Sequence, residues 1–146
     1  MKGTTNIPVV DIILRRDDKV LFLLRKNTGW SDGSYGLPSG HVEKDESFKQ
    51  AACREVLEEV GIIIKPEQLE HRITFHAFDE RGDVRVGIYF EAMNWTGEPR
   101  NVEPDVHGEL AWFDPDNLPE TVTTNARMKF KEIKIGSKYI EYGWPE

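Results

Sequence analysis

Residues 40–62 read GHVEKDESFKQAACREVLEEVGI, an acidic run that ends in a helix-forming stretch with Glu55, Glu58 and Glu59 crowded together. Like charges three and four residues apart on a helix repel one another, so the crowding needs a physical reason. Ser47 followed by Gln50 makes a capping box and Gly61 supplies a terminator, so the helix is expected to begin at Ser47 and end near Gly61. At about 100° per residue, Cys53, Val56, Val60, Leu57 and Ala52 share a broad arc that reads as the core face. Glu55, Glu58 and Glu59 share a separate arc bordered by the small residues Ala51 and Ala52. Carboxylates held this close raise one another's pKa unless a cation lies among them. Arg54, four residues before Glu58, orients one carboxylate but cannot neutralise three. Oxygen ligands call for a hard divalent ion, Mg²⁺ with Mn²⁺ as a substitute. The plain alternative is a solvated surface, since Glu is a good helix former.

Around this helix the chain reads as an ordinary globular protein. Its 146 residues fit one domain, expected to span 1–146, and 38% hydrophobic with 31% charged residues does not indicate disorder. A formal net charge of −7 argues against tracking along a nucleic-acid polymer, which relies on Lys and Arg to neutralise phosphates. One cysteine, Cys53, excludes an internal disulfide and suits a reducing cytosol. With no signal-type segment and no membrane span in the sequence, a cytoplasmic protein is expected.

Residues 8–14 and 20–24 read as strands joined by the turn Arg16–Lys19, which makes a hairpin. The polar, glycine-rich stretch 26–40 reads as a loop. Residues 73–78 and 84–92 read as an antiparallel pair around the turn 79–83, and a loop at 94–108 leads to a short strand at 110–113. A second helix is expected over 124–134. Strands with two helices make a mixed α/β sandwich the natural architecture.

Gly40, Glu46, Arg54, Glu55, Glu58, Glu59 and Gly61, with the bulky aliphatic Val56 and Ile62, spell Gly-x5-Glu-x7-Arg-Glu-U-x-Glu-Glu-x-Gly-U. Seven fixed positions match by chance in about one chain in ten million or fewer. The sequence thereby resembles the Nudix hydrolase family, with residues 40–62 as the Nudix box. Leu37-Pro38-Ser39-Gly40 is similar to that family's Leu-Pro-Gly-Gly approach to the box, with Ser39 in place of one glycine. Leu110–Phe113 and Leu118-Pro119 resemble its late strand and following loop.

The resemblance implies an α/β/α sandwich with a mixed sheet. It also implies Mg²⁺-dependent hydrolysis of a nucleoside diphosphate linked to a further group. Carried over by position, Glu55, Glu58, Glu59 and the carbonyl of Gly40 are the implied metal ligands. Glu46 and Arg54 are their implied orienting partners. The base that removes a proton from water is Glu55 or Glu58 of the box, or an acid of the later loop. There Glu103 and Glu109 are preferred to Asp105. His107 reads as a surface histidine, with a base or phosphate-binding role as the alternative. Arg25 and His41 are candidates for substrate phosphate. Trp30 and Tyr35 either stack on a base or pack the loop.

Substrate choice lies outside the box. Ala77–Glu80 lacks the proline usual in ADP-ribose-cleaving members and the tyrosine of dinucleoside-polyphosphate members. That favours a nucleoside triphosphate, standard or oxidised, cleaved to a monophosphate and pyrophosphate. Asn125 corresponds to the base-reading asparagine of oxidised-purine sanitising members, although it also reads as a helix cap. The alternatives are a nucleotide-sugar hydrolase and a non-catalytic nucleotide- or metabolite-sensing module. A small-molecule substrate, no membrane, and a monomer or homodimer complete the expectations. The segment 137–146 either covers the fold or forms a dimer contact.

Overall fold

The computed structural model describes residues 3–146. Its strands are β1 (Ile7–Arg16), β2 (Lys19–Arg25), β3 (Tyr35–Gly36), β4 (Ser39–His41), β5 (Glu70–Phe78), β6 (Val84–Ala92), β7 (His107–Phe113) and β8 (Tyr139–Tyr142), and its helices are α1 (Phe48–Val60) and α2 (Thr124–Lys134). No described helix is long and apolar enough to cross a membrane.

β1 is the hub. It runs parallel to β6 from Ile7 to Leu14, and β4 pairs antiparallel with its other edge at Val9–Asp11. β5 pairs antiparallel with β6, and β8 extends the sheet parallel to β5. The expected β1–β2 hairpin forms, but only its tip pairs, at Arg15–Val20 and Arg16–Lys19. Beyond the tip β2 diverges to pair with β3 and β7. The result is two sheet segments, with a cleft opening where β4 takes the edge that β2 leaves.

Side-chain alternation along β1 sorts the core into two layers. Val10, Ile12 and Leu14 pack with Ala52, Val56 and Val60 of α1, whereas Val9 and Ile13 pack with Ala126 and Phe130 of α2. Helices therefore cover both faces of a mixed sheet, which is the expected α/β/α sandwich.

Three expectations need correction. Residues 26–40 are not all loop, because β3 and β4 lie within them. Two- and three-residue strands carry no alternation that a sequence pattern can register. Leu57 leaves the core arc and is 52% exposed, while Ala51 and Glu59 are buried. The inward face of α1 is thus centred nearer to Glu59 than the apolar residues alone indicate. β5 and β7 each begin three residues before the expected start. Of the segment 137–146, residues 139–142 form the edge strand β8, paired with β5.

Candidate functional site

Ser47 caps α1 as expected: its side chain accepts from the Gln50 N–H, Gln50 returns a bond to the Ser47 N–H, and Gly61 closes the helix in the left-handed region at φ 71°. With both ends fixed, Glu55 and Glu59 reach β4, and Glu58 stands beside them on Arg54. Glu59 is the innermost, its side chain 8% exposed, and it accepts the backbone N–H of Ser39 at 3.2 Å. The Glu55 carboxylate lies against Gly40, where a Cβ would stand 2.1 Å from it. Only a glycine lets the strand and the carboxylate approach so closely. Glu58 is more open, at 52%.

One guanidinium organises this cluster. Arg54 donates to both oxygens of Glu46 at 2.7 and 2.9 Å, to Glu55 Oε1 at 2.7 Å, to Glu58 Oε2 at 3.3 Å and to the His41 carbonyl at 3.0 Å. The Arg54 hydrogen bonds hold the Glu46 carboxyl down at about 2. Glu59 moves the opposite way. Burial pushes its pKa well up, and the adjoining Glu55 carboxylate adds to the effect. A cation among these oxygens would reverse both costs.

The donor set therefore suits a hard divalent ion. Glu55 and Glu59 meet the β4 backbone at Gly40 and Ser39, and Arg54 ties Glu58 to Glu55, so the donors nearest the strand are carboxylate and carbonyl oxygens. Among the described residues no three acidic or histidine side chains already form a closed cage. Arg54 holds two of the three glutamates instead.

A cavity of about 230 Å³ opens beside Glu59, lined by Arg25, Ser39, Glu103 and His107 among others. Glu103 thus joins the box carboxylates. Burial, then the charges of Glu55 and Glu58, raise its pKa. Glu109 faces elsewhere and accepts a hydrogen bond from the Tyr35 hydroxyl. Asp105 offers its backbone carbonyl to Asn27. Arg25 lines the cavity while its Nε donates to the Trp30 carbonyl at 2.9 Å and its guanidinium stacks on the Trp30 ring. His41 is exposed, with Nε2 3.4 Å from Arg85. Asn125 is exposed in the first turn of α2, whose cap is Thr123.

His107 is not a surface residue. It is 8% exposed, its Nε2 lies 3.7 Å from Glu59 Oε2, and its Nδ1 has no hydrogen-bond partner. Burial, then the charge of Arg25, lowers its pKa. A polar loop hides such a residue from sequence reading. The available signal was its position just before the apolar strand residues 110–113. Two further polar residues, Asp11 and Lys129, lie on the inner face beneath α2. A lone acid inside the apolar run PVVDIIL was the visible hint of the first.

The family model described as the NUDIX domain matches residues 5–132. The chain is 36% identical over 133 residues to an ADP-ribose pyrophosphatase of Methanocaldococcus jannaschii, covering 91% of this chain and 72% of that protein. It is 32% identical over 108 residues to an oxidized purine nucleoside triphosphate hydrolase of Danio rerio, covering 74% and 66%. A MutT NUDIX hydrolase structure from Burkholderia pseudomallei superposes with a TM-score of 0.79 at 32% identity, covering 88% of this chain and 98% of that one. With box, fold and family model in agreement, the chain belongs to the Nudix hydrolase family.

Proposed function

We propose that this protein is a Mg²⁺-dependent pyrophosphohydrolase that cleaves a nucleoside triphosphate, standard or oxidised, to a nucleoside monophosphate and pyrophosphate. The observation that carries the reading is the placement of Glu55 and Glu59 against β4, with Glu58 joined to Glu55 through Arg54, next to a cavity lined by Arg25 and Glu103. Glu55, Glu58, Glu59 and the Gly40 carbonyl would hold the metal. When bound, it supplies charge neutralisation at the diphosphate and a more acidic water. Arg54, anchored by Glu46, aligns Glu55 and Glu58. Arg25 binds phosphate oxygens from the cavity wall. Glu103, with its raised proton affinity and its place in the cavity, takes the proton from the attacking water in preference to Glu109. The net charge of −7 favours a small nucleotide over a polymer, and the single cysteine suits the cytoplasm.

A second reading has its own support. The relative named for ADP-ribose is 36% identical, so a nucleoside diphosphate joined to a sugar is the competing substrate class. Incubation with a panel of nucleoside triphosphates, oxidised purine triphosphates, ADP-ribose, a nucleotide sugar and a dinucleoside polyphosphate, with Mg²⁺ and with EDTA, separates the two. Metal-dependent release of pyrophosphate supports the first reading. Cleavage of ADP-ribose or a nucleotide sugar alone supports the second, and no cleavage of any panel member by folded, Mg²⁺-binding protein contradicts both.

A further inference from the structure

Trp30, in the loop between β2 and β3, and Tyr35, the first residue of β3, have opposite surroundings. The Tyr35 ring meets Phe113 edge-on with centroids 5.0 Å apart, and its hydroxyl donates to Glu109. Tyr35 therefore packs the loop. Trp30 is 42% exposed, and among the described residues its indole N–H has no acceptor, whereas that of Trp144 donates to the His76 carbonyl at 3.1 Å.

The loop holds this open ring firmly. The Asp32 carboxylate accepts from the Thr28 and Gly29 N–H groups and from the Thr28 hydroxyl. Ser31 completes the turn in the left-handed region at φ 51°, which few non-glycine residues adopt. The Gly33 N–H donates to the Arg25 carbonyl at 2.8 Å, and the Arg25 N–H to the Ser34 carbonyl at 2.9 Å. On the far side, the Asn27 side chain and the Lys26 N–H bind the carbonyls of Asp105 and Val106. The loop is thereby tied to the segment that carries Glu103. A ring held in this way loses little further freedom when a ligand settles on it.

Its position ties it to the cavity beside Glu59, because Arg25 and Thr28 both line that cavity. The Trp30 ring has the Arg25 guanidinium 5.0 Å from its centroid and that of Arg81 at 5.4 Å. Arg25 belongs to β2 and Arg81 to the turn between β5 and β6, so the ring stands where the two sheet segments part. Neither cation seals it: both lie beyond the roughly 3.5–4.0 Å of atoms in contact. Arg81 uses its backbone N–H on Asp79, and among the described residues its guanidinium makes no hydrogen bond or ion pair.

An open indole face with arginines beside it suits a ligand that is flat and π-rich at one end and anionic at the other. An aliphatic body would leave the cations unused, and a bare anion would leave the ring unused. We infer that Trp30 is the stacking platform for the nucleobase of the substrate, with Arg81 closing on the outer face of the base and Arg25 taking the adjoining phosphate. This rests on the nucleotide reading of the site and assigns base recognition to a loop outside the box. Every base has a π-face, so stacking tolerates them all, and the larger purines overlap an indole more fully.

The test is binding to the intact protein in EDTA, read by calorimetry and by tryptophan fluorescence. The probes are the 5′-monophosphates of adenosine, guanosine, cytidine and uridine, with ribose 5-phosphate as the base-free control. The purine monophosphates are expected to bind about tenfold or more tightly than ribose 5-phosphate, more tightly than the pyrimidine ones, and to quench part of the emission. Trp30→Ala is expected to weaken purine binding by about tenfold or more and to leave ribose 5-phosphate within about twofold. Trp30→Phe keeps a ring, so it is expected to hold the affinity within about threefold while losing the quenching. Unchanged purine affinity in a Trp30→Ala protein shown folded by circular dichroism would overturn the inference. So would an equal loss for ribose 5-phosphate, a pyrimidine preference, quenching that persists in Trp30→Phe, or no base-dependent binding by the intact protein. Binding is read without turnover, so Trp30-dependent base binding without hydrolysis of any nucleotide counts against the proposed activity alone. Hydrolysis with base affinities unmoved by Trp30→Ala counts against this platform alone.

Discussion

The carboxylate of Glu55 rests so closely on the backbone of Gly40 that a Cβ at residue 40 would stand 2.1 Å from it. Strand β4 and helix α1 thus meet through one glycine and one glutamate. Gly40→Ala is expected to push Glu55 aside and lower hydrolysis by about tenfold or more, as loss of a supporting contact commonly does. Steady-state rates beside circular dichroism of the variant check this. A fully active Gly40→Ala protein would mean that Glu55 does not need its present position.

Arg54 holds Glu46, Glu55, Glu58 and the His41 carbonyl with one planar fork. Lysine keeps the charge but not the fork. Arg54→Lys is expected to raise the Mg²⁺ concentration for half-maximal rate by about ten- to a hundredfold with little change in melting temperature. A metal titration of the rate reads the effect directly.

Asp11 and Lys129 give stability an unusual pH dependence. Burial pushes Asp11 up to about 6, against the lowering influence of Lys129, Arg25 and Arg85. Because the folded form holds the proton more tightly, this group's contribution is fully present below about pH 4 and is lost as pH rises through about 6. Burial holds Lys129 down at about 8, and only Asp11 opposes it. Its sign is reversed, so the cost of burying the ammonium is present below about pH 8 and fades toward its ordinary pKa near 10.5. Asp11→Asn is expected to remove a fall of roughly 1 kcal/mol between about pH 4 and 6, allowing for the residual water contact of Asp11. Urea melts of both proteins across that range measure it.

The reciprocal Ser47–Gln50 bonds fix where α1 begins. Ser47→Ala is expected to cost about 1 kcal/mol, seen as a melting temperature lower by roughly 2–6 °C. A change under one degree would mean that tertiary packing alone sets the start of the helix.

What the sequence made legible follows from how each feature is encoded. The ends of α1 depend on local residues, Ser47, Gln50 and Gly61, and were readable to the residue. The pair β5 and β6 was readable because β-branched and aromatic runs flank a polar turn. β4 was not, because three residues stay extended only through their pairing with β1. Leu57 was assigned inward on hydrophobicity, yet the helix turns Glu59 in, where the Ser39 N–H and the cavity receive it. The box glutamates were visible as a spacing. His107 and Lys129 were not, since the first is buried where β7 meets Arg25 and Glu59 and the second by the rings of three different strands.

Glu55, Glu58 and Glu59 are expected to gather divalent metal for cleavage of a phosphoric anhydride. Electron paramagnetic resonance of Mn²⁺ titrated into the intact protein and into Glu55→Gln, Glu58→Gln and Glu59→Gln variants tests it most directly. Saturable Mn²⁺ binding by the intact protein is expected, weakened about tenfold or more in each folded variant. Undiminished binding in all three variants, or none by the intact protein, would contradict it.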